Sequence, residues 1–136
     1  MRVLLDTQCW LWMQVSPKRF DPDALALIQD ADTELCLSAA SSWEIAIKYA
    51  LGKLSLPEPP AKYVPSRLRQ SGVSTLPIEH SHALRVAELP AHHRDPFDRL
   101  LVAQAQLERL VLMTADRQLA PYEVTLRWAS RMPPPR

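Results

Sequence analysis

Short, continuously apolar runs alternate along this chain with longer stretches of helical period. Val3-Leu4-Leu5 has the pattern of a strand covered on both faces, as in a parallel sheet, and it ends at Asp6-Thr7. Asp21-Pro22 reads as an N-cap followed by the first residue of a helix, with Ala24, Leu25, Leu27 and Ile28 on its apolar face. Glu34 to Ser38 is a second strand. Ser41 and Glu44 have capping-box spacing, opening a helix through Trp43, Ile45, Ala46, Ile47, Ala50 and Leu51 that Gly52 ends. Ser55 to Pro60 is a proline-rich loop, and a helix around Ser66 to Gln70 has Pro65 in its first turn. Val73 to Leu76 is a third strand, and Ser81 to Leu89 a helix stopped by Pro90. Asp95-Pro96 repeats the cap signal ahead of a helix through Leu100, Leu101, Ala103, Ala105 and Leu107. Leu110 to Thr114 is a fourth strand, Asp116 opens a short helix, and Val124 to Leu126 is a candidate fifth strand. Strands alternating with helices predict an α/β fold with a mainly parallel sheet of four to five strands.

Composition changes this picture little. At 136 residues the chain is one domain, expected over 1–128, with a tail from Ala129 to Arg136 that is disordered or extended and ends in Pro133-Pro134-Pro135. With 47% hydrophobic and 23% charged residues it is an ordinary globular composition. A net charge of +1 excludes a broad basic field, so nucleic-acid binding would rest on a local patch. Cys9 and Cys36 lack Cys-x-x-Cys spacing and read as reduced core thiols of a cytosolic protein. The N-terminal stretch does not read as a signal peptide, because Asp6 interrupts its apolar run, and no run reaches the ~20 apolar residues of a membrane span.

The acids carry the chemistry. Asp6 ends strand one, Glu44 lies in the helix after strand two, Asp95 and Asp98 sit at the cap and first turn of a later helix, and Asp116 follows strand four. The carboxyl ends of strands in an open parallel sheet share one edge, where ligands bind. Carboxylates crowded there raise each other's pKa, and helix N-termini or a divalent cation relieve them. Oxygen ligands favour Mg²⁺ or Mn²⁺ over Zn²⁺. Each acid also has a simpler reading. Glu44 taken alone is better explained as the capping-box partner of Ser41 and the i,i+4 partner of Lys48. Asp95, Asp98 and Asp116 can be helix caps or first-turn acids. Asp6 is hardest to dismiss, since an unpaired buried carboxylate is costly.

The segments Leu4-Leu5-Asp6-Thr7, Ser42 to Lys48 with Gly52-Lys53-Leu54, His82-Ala83-Leu84, His93-Arg94-Asp95-Pro96-Phe97-Asp98-Arg99-Leu100-Leu101 and Thr114-Ala115-Asp116-Arg117 resemble, in order, the PIN-domain nucleases, and among them the VapC-like toxins of bacterial toxin–antitoxin pairs. The resemblance implies a three-layer α/β/α sandwich and an Mg²⁺- or Mn²⁺-dependent endoribonuclease that cleaves RNA by metal-activated water. It implies Asp6, Glu44, Asp98 and Asp116 as the acidic quartet, with Asp6, Asp98 and Asp116 on the metal. Thr7, Asp95 and Thr114 are implied as supporting residues. It further implies a homodimer, a cognate antitoxin that covers the site, and operator DNA contacts made only through that antitoxin, with no role for a membrane.

Arg94, Arg99 and Arg117 flank the acids and could hold RNA phosphates or simply neutralise the acids. His92 and His93 could serve in acid–base chemistry, though a metal-bound nucleophile makes that unnecessary. Trp10, Trp12 and Trp43 read as core or interface residues, and an antitoxin groove or dimer interface near Trp10 and Trp12 is expected. Two other readings compete. One is a non-catalytic binding partner in an antitoxin–operator complex. The other is a haloacid-dehalogenase-like phosphatase, which also has an aspartate after strand one but wants a second aspartate where Gln8 stands.

Overall fold

The computed structural model describes residues 1–130. Five parallel strands form one sheet in the order β3-β2-β1-β4-β5: β1 (Arg2–Leu5), β2 (Glu34–Ser38), β3 (Ser74–Leu76), β4 (Val111–Thr114) and β5 (Leu126–Trp128). The helices are α1 (Thr7–Val15), α2 (Pro22–Gln29), α3 (Ala39–Ala50), α4 (Pro60–Ser71), α5 (His80–Arg85) and α6 (Pro96–Glu108). Side chains of a strand point alternately to opposite faces, and β1 shows the result. Val3 and Leu5 enter one core with Trp10, Leu37, Ile45, Tyr63 and Met113, while Leu4 enters a second with Leu101, Val102, Leu112 and Leu119. Burial on both faces is why β1 and β4 are continuously apolar, and it gives the expected three-layer α/β/α sandwich. Truncating a wholly buried leucine such as Leu5 or Leu112 to alanine costs about 2–5 kcal/mol.

Several boundaries differ from expectation, each for a local reason. Helix α1 has no periodic signature, because its TQCWLWMQV sequence is apolar nearly all round; the Asp6 carboxylate starts it by accepting from the Cys9 N–H at 2.7 Å. The N-cap of helix α3 lies three residues before the expected one: it is Ser38, whose Oγ accepts from the Ala40 N–H, so no Ser41–Glu44 capping box forms. Helix α4 is longer than expected and contains Pro65 in its interior. Its missing N–H leaves the Ala61 carbonyl unpaired within the helix, and both residues are exposed to water. The segment after α5 tightens into a 3₁₀ turn at Val86–Glu88. Strand β5 is shifted two residues, to Leu126–Trp128.

Of the tail expected from Ala129 onward, Ala129 is fully buried and its backbone bonds to Thr114 and Asp21. Residues 131–136, including the three prolines, lie outside the described part. Among the described residues no helix is long and apolar enough to cross a membrane.

Candidate active site

The strand order reverses around β1, which pairs with β2 on one side and β4 on the other. A crevice outside the carboxyl ends of the strands follows from such a reversal. Here it is a cavity of about 640 Å³ walled by Asp6, Glu44, Asp95, Asp98 and Asp116, so all five acids singled out in the sequence meet.

Each arrives by a different local device. Asp6 is the first residue after β1, held by the Cys9 N–H and by the Thr114 hydroxyl. Thr114 also accepts the Asp116 N–H at 3.0 Å, so one hydroxyl ties the two strand-end acids together. Asp95 caps α6 by accepting from the Phe97 and Asp98 N–H groups, which places Asp98 in the first turn. Asp116 caps its own 3₁₀ turn through the Gln118 N–H. Glu44 is buried one and a half turns into α3; Thr7 Oγ1 donates to its Oε1 at 2.6 Å, and Lys48 Nζ to its Oε2 at 2.6 Å. The expected i,i+4 pair therefore exists, and it sits inside the acid cleft rather than on a solvated face.

The electrostatics of the cleft are unbalanced. Burial raises the Asp6 carboxyl above the usual carboxylate range, against the hydrogen bonds from Thr114 and Cys9 that lower it. Asp98 is pushed up to about 8, first by burial and then by the charges of Asp95, Asp6, Glu44 and Asp116. Lys48 is raised, chiefly by its hydrogen bond to Glu44. A buried set of like charges is what a divalent cation neutralises. The donors are carboxylate oxygens, hard ligands of the kind Mg²⁺ and Mn²⁺ take, so the residues present fit such an ion.

One further residue stands in this cluster, with a larger part than its sequence position suggests. His93 Nε2 lies 2.8 Å from Asp116 Oδ2 and 3.2 Å from Asp98 Oδ2. Among the described residues, His93, Asp98 and Asp116 form a group whose ligand-capable atoms all lie within 4.8 Å of one another. Its signals in the sequence are its place at the head of the His93 to Leu101 run and two residues before the Asp95 cap. His92 instead packs on Tyr122, with ring centroids 5.1 Å apart.

The arginines separate. Arg99, read as either a phosphate contact or a neutraliser of the acids, spends its donors elsewhere. Its Nη1 donates to the Pro90 carbonyl and the Tyr122 hydroxyl, and its Nη2 to the Val86 and Leu89 carbonyls. A guanidinium so committed holds the 86–93 segment in place and has few donors left for substrate. Arg117 lines the cavity while stacking over Trp128 at 4.0 Å and donating to the Ser130 carbonyl. Arg94 is exposed and does not line the cavity. Of the core and interface readings of Trp10 and Trp12, the rings themselves take the core one: both are buried, Trp10 edge-on to Tyr63 and Trp12 edge-on to Phe20. Trp43, 57% exposed, stands against Phe97 at 5.1 Å.

Known proteins resemble this chain in sequence and in fold. The PIN domain family model matches residues 3–123. Ribonuclease VapC22 of Mycobacterium tuberculosis is 32% identical over 118 residues, 86% of this chain and 88% of that protein. Ribonuclease VapC16 of the same organism is 56% identical over 57 residues, which is 42% of this chain and only 40% of that relative's own length. Among solved structures, VapBC2 from Rickettsia felis bound to a DNA fragment from their promoter matches with a TM-score of 0.69 at 14% identity, covering 94% of this chain and 98% of that one. FitAB bound to an IR36 DNA fragment matches with a TM-score of 0.63 at 19% identity, over 96% of each chain. The family match runs from the first strand to beyond the last of the five acids, and on that span the chain belongs to the PIN-domain family.

Proposed function

We propose that the chain is a divalent-metal-dependent endoribonuclease and the toxin member of a toxin–antitoxin pair. The observation that carries the reading is the buried convergence of Asp6 and Asp98, both raised above the ordinary carboxylate range, in a cavity that three further acids wall. The two ribonuclease relatives agree with it. Family membership removes the dehalogenase-like phosphatase, whose second aspartate is absent at Gln8.

In this reading Asp6, Asp98 and Asp116 hold Mg²⁺ or Mn²⁺. The ion, when bound, supplies positive charge to the scissile phosphate and makes water more acidic. The chain's own groups do the positioning. Thr114 fixes the rotamer of Asp6 and the entry of the segment bearing Asp116. The Asp95 cap sets the angle of α6 and so the reach of Asp98. Thr7 and Lys48 hold both oxygens of Glu44, which keeps that carboxylate oriented beside the metal-binding acids. Lys53 and Arg117 on the cavity wall offer cationic contacts to the phosphates on either side of the cut. A cognate antitoxin, a homodimer, and operator DNA reached through the antitoxin are the partners this family reading carries.

The test is Asp6→Asn and Asp98→Asn, each with folding checked by its melting curve. Both are expected to abolish metal-dependent RNA cleavage and the growth arrest that expression causes. Cleavage that persists in both overturns the site. Binding to antitoxin and operator DNA with no cleavage by the wild-type protein in Mg²⁺ or Mn²⁺ favours the non-catalytic reading instead.

A further inference from the structure

His93, Asp98 and Asp116 have the spacing of a three-ligand metal site, yet the second ring nitrogen of His93 points to a different role. A histidine that ligates a metal through Nε2 needs its lone pair there. Its proton then sits on Nδ1, which donates to a carboxylate, a carbonyl or water. Here Nδ1 faces the backbone N–H of Asp95 at 3.1 Å. That N–H is a donor, so Nδ1 must present a lone pair. A neutral imidazole carries one N–H, which this contact assigns to Nε2. Nε2–H then donates to Asp116 Oδ2 at 2.8 Å and is shared with Asp98 Oδ2 at 3.2 Å.

The ring is held in this orientation from several directions. The His93 backbone N–H donates to the Tyr122 hydroxyl at 2.9 Å, and that hydroxyl also accepts from Arg99. Arg99 in turn holds the Pro90 and Leu89 carbonyls just upstream. The His93 side chain is only 11% exposed. Moving Nε2 onto a metal as a ligand would place an Nδ1–H against the Asp95 N–H, two donors facing each other.

We infer that His93 is not a metal ligand but a positioning residue, whose Nε2–H bridges the Asp98 and Asp116 carboxylates and fixes their separation for the cation. The bridge eases the repulsion between the two carboxylates when both are ionised to hold the metal. It also occupies one oxygen of each carboxylate and so limits how the pair can turn. This rests on the metal-dependent reading proposed above and adds to it the residue that presets the ligand geometry.

The experiment is ¹⁵N-histidine NMR of the wild-type chain without and with Mg²⁺, alongside calorimetric Mg²⁺ titration of wild type, His93→Gln and His93→Asn. The His93 ring is expected to be the Nε2–H tautomer in both states. Gln places an amide N–H near the Nε2 position and should bind Mg²⁺ close to wild type. Asn keeps an acceptor near the Nδ1 position, but its amide N–H groups fall short of the Nε2 position, and it should bind about tenfold more weakly, the low end of the effect of losing a residue that orients a metal ligand. A ring that switches to the Nδ1–H tautomer when Mg²⁺ binds makes His93 a ligand and overturns this inference alone. So does an Asn variant that melts like wild type and binds Mg²⁺ equally well. A wild-type chain that binds no Mg²⁺ overturns the metal-dependent reading itself, and this inference with it.

Discussion

Helix α6 serves two buried polar clusters that answer the same problem in opposite ways. Near its N-terminus Asp98 meets Asp6, Glu44, Asp95 and Asp116. Six residues on, about 9 Å along the axis, Gln104 meets a neutral network. Its side-chain oxygen bonds the Ser38 hydroxyl, and its amide donates to the Pro77 carbonyl and approaches His82 Nδ1 at 3.3 Å. Even the histidines are wired alike: His82 Nδ1 accepts the Glu79 N–H, as His93 Nδ1 accepts that of Asp95, and each aims Nε2 at carboxylate from α6. The Gln104 side chain pairs its own donor and acceptor inside the protein and ties α6 to β2 and the segment before α5, while the neighbouring His82 leaves its buried Nε2 without a hydrogen bond. The Asp98 cluster has more carboxylates than cations: the five acids share their cavity with Lys48, Lys53 and Arg117, and Lys48 is already bonded to Glu44. Satisfied polar groups build the fold, and deliberately unsatisfied ones build a site for something from outside.

The comparison can be broken at several points. Asp98→Asn should lower RNA cleavage by more than about 100-fold, in line with losing a group that stabilises charge directly at the reaction, measured in a metal-dependent cleavage assay. Gln104→Leu should do the reverse. It strands the Ser38 hydroxyl and the Pro77 carbonyl, costing about 2–3 kcal/mol in denaturant melts, with Mg²⁺ affinity unchanged in the folded fraction. Equal effects of these two variants on Mg²⁺ affinity would erase the distinction.

Arg99→Ala falls between them. It removes hydrogen bonds that hold the segment carrying His93, and should cost about 1–3 kcal/mol together with a weaker Mg²⁺ titration. A variant that loses RNA affinity at unchanged stability would restore Arg99 as a phosphate contact. The smallest effect is on pH dependence. The Asp98 carboxyl is pushed up to about 8 in the folded chain and lies near 4 in the unfolded one. The folded state therefore binds the extra proton between those values, and metal-free stability should fall as pH rises from about 4 to about 8, then level. Asp98→Asn should flatten that slope and raise the metal-free melting temperature near pH 8. Added Mg²⁺ should reverse the slope in the wild-type chain, since binding displaces the proton.

Much of this was legible because it is local. Val3 to Leu5 announces a doubly covered strand by composition alone, and Asp95-Pro96 announces a helix start by the chemistry of an acceptor followed by a residue with no N–H. The acids could be placed at one edge because parallel topology leaves no other place for strand ends. What stayed hidden depends on partners distant in sequence. Ser38 and Ser41 are equally good caps until the end of β2 is fixed. Helix α1 is apolar around its whole circumference because Trp10 and Trp12 both find partners in the core, so no period marks it. Arg99 looks like a phosphate contact until Tyr122 and the carbonyls from Val86 to Pro90 fold around it. His93 becomes informative only when both ring nitrogens have neighbours.

Asp6 has two jobs that fall on one side chain. One side-chain oxygen starts helix α1, and the same side chain is a proposed metal ligand. Asparagine caps helices as well as aspartate does, whereas alanine forfeits about 1 kcal/mol. A dead copy of this chain that still folds is therefore one atom away, a nitrogen in place of an oxygen. Truncation at the same position removes charge and cap together, so Asp6→Ala blends a folding defect into a catalytic one. Selection against activity alone would favour escape through asparagine, leaving the outer surface, and whatever binds it, intact.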